Sequence, residues 1–501
     1  MRASAAAAVL CLGAVAGTPA RAQDWTTGGY DAQRSSWVRV EGKISADNLR
    51  KPGFQLLWKL KLADEATRAR ALTPPVLIDL VIGYRGFRAL GFVGGASDHL
   101  VAIDTDVGRI EWERRFASGT PPADGSPACA REMTPSLARP TNPALPAPVW
   151  GDGGPRAGQS ARSAVGDAGQ GAVTLAQLDT RRREVPPAPA KSTGPRPSPR
   201  PFPVVYAVSS DGKLRTLNVM NGADAEPPLP FLPPHADARG LIVVDEVAYV
   251  ATTGGCGEAP DGIWALDLGA KQVTTWRSRR GIAGAVGPAI GPDGTIYVAT
   301  SDGQLVALER RTLVPKGAYR SSGTAFISSP VIFEHRGRLV IAASGRDGRI
   351  RLFDTRSSAF VGTSVSSRDA APADDALASW ADPDDTRWLL EPAARGAGIV
   401  GWQVVQQDSV PTLRPGWVSR DIAAPLAPTV VNGVIFVLSR GAQPSSPAVL
   451  YALDGVTGKE LWNSGTVMPA FARGAVSAGG SQVYVVTDDG AVYAFGFPME
   501  H

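Results

Sequence analysis

Reactive and metal-ligating side chains are scarce in this sequence. Its three cysteines, Cys11, Cys129 and Cys256, are scattered, and no two are adjacent. No C-x-x-C-H run occurs, which removes a covalently attached haem. The four histidines, His99, His235, His335 and His501, stand far apart. A zinc centre needs three or four converging ligands, so metal catalysis is not expected. There is no G-x-S-x-G nucleophile elbow. The stretch "GGASDH" (Gly94–His99) sets a serine near a histidine but reads better as a Gly-rich strand connection. Beyond the N-terminus no apolar run reaches the length of a membrane helix. No catalytic residue can be nominated on these grounds.

What the chain has in quantity is turn chemistry. Glycine (56) and proline (42) supply 98 of the 501 residues, against an apolar fraction of 44% that is ample for a core. That balance suits short strands and many tight turns rather than helices. Residues 1–22 read as a secretory signal: Arg2 leads, Ala3 to Ala16 is apolar, and Ala20-Arg21-Ala22 fits a small-x-small cleavage site. The formal charge of +4 falls to +2 without Arg2 and Arg21. Residues 139–203 hold nine Lys/Arg and four Asp/Glu, so the remaining body is mildly acidic. A nucleic-acid partner is therefore not expected.

One phrase keeps returning. Its clearest copy is "VLYALDGVTGKELWNSG" (Val449–Gly465), and weaker copies begin at Leu100, Leu214, Ile263, Leu305 and Ile350. The polar landmark falls at Asp104, Asn218, Asp267, Glu309, Asp354 and Asp454, with central spacings of 49, 42 and 45 residues. Short strands at such a period are the sequence sign of a propeller. The expected fold is all-β: an eight-bladed β-propeller of four-stranded antiparallel blades over 54–497. "FQLLWKLKL" (Phe54–Leu62) looks like a repeat's second half without its first. It is expected to complete the last blade, begun at Gly474–Phe497, which closes the ring and removes exposed edges. Asp293-Gly294, Asp302-Gly303, Asp347-Gly348, Asn432-Gly433 and Asp489-Gly490 mark hairpins.

Two inserts explain the long gaps between landmarks. Residues 139–203 carry 13 prolines, the run Arg181-Arg182-Arg183 and no apolar periodicity. Such a segment cannot bury enough apolar surface to offset its ordering entropy and is expected to be a disordered excursion from blade two. Residues 366–386 form a smaller acidic insert before an irregular blade six at roughly 387–421. The N-terminal segment 23–53 is expected to lie extended, packing Trp25, Tyr30 and Trp37 on the body.

The phrase Ala452-Leu453-Asp454, Thr457-Gly458, Trp462 resembles the repeat of propellers in the pyrroloquinoline quinone (PQQ) family. The resemblance covers about 54–497 apart from the inserts and implies that Trp58, Trp112, Trp276 and Trp462 dock between blades. Gly458 would supply the tight turn and Asp454 a turn-capping carboxylate. Blades two, four and five carry Phe231, Tyr319 and Phe360 near the Trp position instead. The Gly-His and Trp-Asp pairs of WD-repeat propellers do not recur. One branch of the family contains quinone-dependent alcohol and sugar dehydrogenases, in which PQQ stacks between a Trp and a disulfide of adjacent cysteines while Glu, Asn and Asp hold Ca²⁺. Another branch binds no cofactor and acts as a platform.

This chain lacks the adjacent cysteines, so the expectation leans away from an enzyme and predicts no cofactor, with PQQ and Ca²⁺ as the alternative. The expected function is an exported, non-catalytic binding or scaffold propeller in the periplasm or secreted. It would act as a monomer without a transmembrane segment, its partner an envelope or extracellular protein or a glycan. The alternative is a PQQ-dependent dehydrogenase of alcohols or sugars. A carbohydrate-binding or lyase propeller would use scattered side chains such as Arg346, Asp347 and Trp402. Strand alternation places Cys129, between blades one and two, on the same face as Cys256 of blade three. A Cys129–Cys256 disulfide is therefore a candidate, two buried free thiols being the other reading.

Overall fold

The computed structural model describes residues 24–62, 72–83, 86–95, 98–116, 136–145, 203–321, 324–364, 376–393, 398–441, 443 and 446–498. These form eight sheets, each with four antiparallel strands from one blade, arranged as an eight-bladed propeller. Within a blade the inner strands are buried on both faces and the outermost alternates. Val434–Ser439 and Gln482–Thr487 are buried throughout, whereas Arg109–Arg115 is mostly exposed or half-buried. Near-continuous apolar runs inside and mixed patterns outside are what two-sided and one-sided burial require. The turn at Asn432-Gly433 puts both residues at positive φ (45° and 79°), the geometry of the tight hairpin. At Asp293-Gly294 and Asp302-Gly303 only the glycine takes positive φ.

Gln55–Lys61 pairs antiparallel with Ala491–Gly496 and completes the eighth blade, joining the N-terminal part of the chain to its end. Two expected boundaries move. The inner strand of blade six is Ala378–Ala381, drawn from the stretch expected as an acidic insert. Its apolar "ALASWA" core is buried despite the flanking acids, and charge composition over a window obscured a four-residue strand. Likewise the proline-rich excursion starts later than expected. Pro140–Thr141 pairs parallel with Val243–Val244 of blade three, and proline is tolerated there because the pairing is at a sheet edge. Residues 1–22, 146–202, 366–375 and Cys129 lie outside the described residues.

Residues 24–41 make a circuit of the propeller axis, meeting the blades in order. The Trp25 carbonyl accepts from Leu77 N of blade one, and the Thr26 carbonyl from Arg139 N beside blade two. Thr27 Oγ1 donates to the Leu241 carbonyl of blade three. The carbonyls of Ala32, Gln33, Ser35 and Ser36 accept from Ile290, Ile332, Ser379 and Val430 of blades four to seven. Glu41 accepts from Ser481 of blade eight. Trp37–Val38 adds a short parallel strand to blade seven. The expected extended segment is thus an axial plug, with Trp25, Tyr30 and Trp37 all buried. Inner strands of a propeller leave edge N–H groups facing the axis, and this segment supplies their acceptors.

Candidate functional site

The plug is held by a guanidinium. Arg34 is fully buried, with Nε donating to the Pro288 carbonyl, Nη2 to Gly240, and Nη1 to Thr27 Oγ1 and the Gly28 carbonyl. Burial pulls its pKa down to about 9, and the nearby Asp31 charge acts against that. It stays charged at neutral pH, and carbonyl oxygens satisfy it as the rigid fork of arginine allows. Asp31, also buried, accepts from Ser35 N (2.8 Å) and Ser35 Oγ (2.6 Å) and lies 3.4 Å from Arg39 Nη1.

The axis has two ends. The turns joining first to second and third to fourth strands lie at one end, here the near end. The second-to-third links and the blade-to-blade links lie at the far end. At the near end, between the plug and blades five and six, is a cavity of about 150 Å³. Its floor carries Trp37, Arg39, His335, Ser379 and Arg387. The Arg39 guanidinium lies 4.3 Å from the Trp37 ring centroid and that of Arg387 5.5 Å. Burial, then the Arg39 charge, brings the Arg387 pKa down to about 10. His335 is held below its ordinary value, chiefly by burial, then by Arg336 and Arg387, and is neutral at pH 7.

At the far end, one strand out from the axis, Glu391 of blade six is buried and accepts from Ser344 Oγ of blade five at 2.8 Å. Burial raises its pKa to about 7. Trp402 is buried beside it, and the Asp347 charge adds to the upward shift. Of the three residues scattered in sequence, Asp347 is gripped bidentately by Arg351 (2.9 and 2.7 Å), which lowers its own pKa. The Arg346 amide donates to Ala325.

The repeat's tryptophans lie at blade seams. Trp58 Nε1 donates to the Thr105 carbonyl of blade one (2.8 Å), and Trp112 Nε1 to Val219 of blade two (2.8 Å). Trp276 packs on a cluster that includes Ile290, Ile296 and Leu308 of blade four. Trp462 meets Phe54 (4.9 Å) and Phe495 (5.7 Å) of blade eight. Sequence reading passed over Trp417, whose indole donates to Gly455 of blade seven (3.2 Å) and covers Gly458. Its place on the outer strand of blade six was the available signal. In the opening phrase, Asp454 Oδ1 accepts from Val456 N, Thr457 N and Thr457 Oγ1, and Gly458 turns at φ 69°.

Cys256 is 2% exposed and disulfide-bonded, and Cys129 lies outside the described residues. His99 is buried with Nε2 3.0 Å from Glu113, and His235 and His335 lie apart from it. Among the described residues no three His, Cys, Asp or Glu side chains converge to hold a metal ion. The sequence has no adjacent cysteine pair of the kind that the resemblance implies for stacking a quinone.

Solved structures similar to this chain share the propeller. The quinohemoprotein alcohol dehydrogenase of Comamonas testosteroni is 14% identical over 96% of this chain and 82% of its own, with a TM-score of 0.57. A europium-containing methanol dehydrogenase is 11% identical over 95% and 98%, with a TM-score of 0.53. BamB of Moraxella catarrhalis is 12% identical over 89% and 99%, with a TM-score of 0.48. No curated protein matches the sequence. The family model described as outer membrane protein assembly factor BamB matches residues 55–313 and 390–497. That is well over half of the chain, and the protein belongs to this PQQ-like propeller family.

Proposed function

We propose that the protein is an exported binding or scaffold propeller of the cell envelope, non-catalytic, engaging a protein partner through the loops at its rims. The observation that carries this reading is the axial plug. A segment that bonds to all eight inner strands or their hairpins in turn fills the channel with the chain's own backbone. The end faces are left as the surfaces that a partner can reach. The family match supports the same reading, and no helix among the described residues is long and apolar enough to cross a membrane. Fold alone does not assign chemistry, and a hydride transfer needs an acceptor that protein side chains do not supply.

The test is reconstitution of the full chain with PQQ and Ca²⁺, followed by gel filtration and dye-reduction assays with mixed alcohols and sugars. The expected result is no retained quinone absorbance and no dye reduction. Stoichiometric quinone with substrate-dependent turnover would overturn the proposal.

A further inference from the structure

The near-end cavity has a cationic floor and an acidic rim. On the floor, Arg39 has a side chain 7% exposed, and its Nε has no hydrogen-bond partner. His335, 7% exposed, leaves Nε2 unpartnered, and Ser379, fully buried, leaves its Oγ unpartnered. Unsatisfied polar atoms at such burial are uncommon in folded proteins and ask for an occupant. Arg387 makes no ion pair with a described residue and is held over the rings of Trp37 and Phe333. Two buried carboxylates lie nearby: Asp31 is engaged with Ser35 and Arg39, and Asp382 with the Trp388 indole, while the Asp385 and Glu334 charges act on Arg387 from the rim. At the rim, Glu334, Arg336 and Asp385 are exposed.

We propose that this cavity binds a carboxylate, with Arg387 and Arg39 as its charge partners, His335 Nε2 and Ser379 Oγ as hydrogen-bonding groups, and Trp37 as the wall. Planar guanidinium forks match a carboxylate. The volume holds such a group with a short side chain, a water's share of liquid being about 30 Å³. With Arg336 beside them, Glu334 and Asp385 leave one net negative charge at the entrance, and each added negative charge on a bound ligand increases its repulsion with that rim. A phosphate dianion is therefore disfavoured. The carboxylate could come from a peptide C-terminus or from a free small acid. Four elements line the site: the plug gives Ser35, Trp37 and Arg39, blade five gives His335, blade six gives Ser379 and Arg387, and Leu145 comes from the segment after Pro140–Thr141. His335, Ser379 and Arg387 fall between the family-matched ranges, so the inference goes beyond the family reading and does not rest on the proposed scaffold role.

The test is a ligand-observed NMR titration of the full chain with propionate, propionamide, N-acetyl-alanyl-alanine with a free carboxylate, and inorganic phosphate. Saturable binding of a carboxylate that propionamide does not reproduce, and that R387Q weakens tenfold or more, is the expected result. The tighter of the two carboxylates names the source, dipeptide for a peptide end and propionate for a small acid. Equal binding of propionamide, tighter binding of phosphate, no saturable carboxylate binding, or an unchanged R387Q would each overturn the proposal. If R387Q does not fold, R387K keeps the charge and loses the fork. A several-fold weakening is then expected, and an unchanged affinity overturns the assignment.

Discussion

The indole nitrogen of Trp58 donates to the Thr105 carbonyl at 2.8 Å, and the Trp58 ring lies where a Cβ on Gly108 would come within 2.5 Å of it. These residues sit on either side of the seam between the last blade and the first, so this contact closes the ring. Gly108 takes φ 67°, which a side chain would strain as well as crowd. G108A is expected to destabilise by about 2 kcal/mol. W58L should relieve part of that cost, giving a coupling of at least ~0.5 kcal/mol in a double-mutant cycle followed by denaturant unfolding. Strict additivity would show that the ring does not rest on that glycine.

Arg34 makes a second prediction. R34M leaves the Pro288, Gly240 and Gly28 carbonyls without a donor at the buried axis. A loss of about 3 kcal/mol is expected, in the range for breaking a buried charged network. Limited proteolysis should then cut within residues 24–41 before the blades. Unchanged protection there would mean that the backbone bonds to the inner strands hold the plug alone.

Glu391 gives a pH signature. Its folded pKa of about 7 lies above its ordinary 4.5, so the folded state holds the proton more tightly than the unfolded one. Stability from this group is fully present below pH 4.5, falls as pH rises from 4.5 to 7, and is flat above. The loss is at most about 3 kcal/mol. E391Q, whose amide oxygen can still accept from Ser344, should melt higher than the parent at pH 8 and match it at pH 4.5. A gain of the same size at both values in a calorimetric series would refute the assignment.

Cys256 is disulfide-bonded, and we propose Cys129 as its partner, joining the link after blade one to blade three at the far end. Non-reducing peptide mapping should recover a cross-linked pair of peptides containing residues 129 and 256. Recovery of both as free thiols would remove the tie.

The repeat phrase made the architecture readable because every blade solves one local problem: a buried strand, a capped turn, and an aromatic that covers the next blade's turn. Asp454, Gly458 and Trp462 recur for that reason and carry little about function. The cavity residues were not legible. Trp37, His335 and Arg387 belong to separate elements, and no spacing links them. Trp37 is expected from the sequence to pack on the body, and its ring also forms a cavity wall. The sixth blade's first strand was hidden because "DAAPADDALASWADPDD" is acidic on average although Ala378–Ala381 is apolar.

From the amino-acid order alone came the number of blades, the strand that closes them and most of the tryptophans at the seams. All of these follow from short-range periodicity and turn chemistry. Tertiary structure alone decided that residues 24–41 run through the axis instead of lying on the body. The groups they satisfy include edge N–H groups of five strands distant in sequence, those of Leu77, Ile290, Ile332, Ser379 and Val430. It likewise decided which arginines meet at the near end and that Glu391 is buried against Ser344. Those relations depend on how the ring closes, and ring closure has no linear spacing to read.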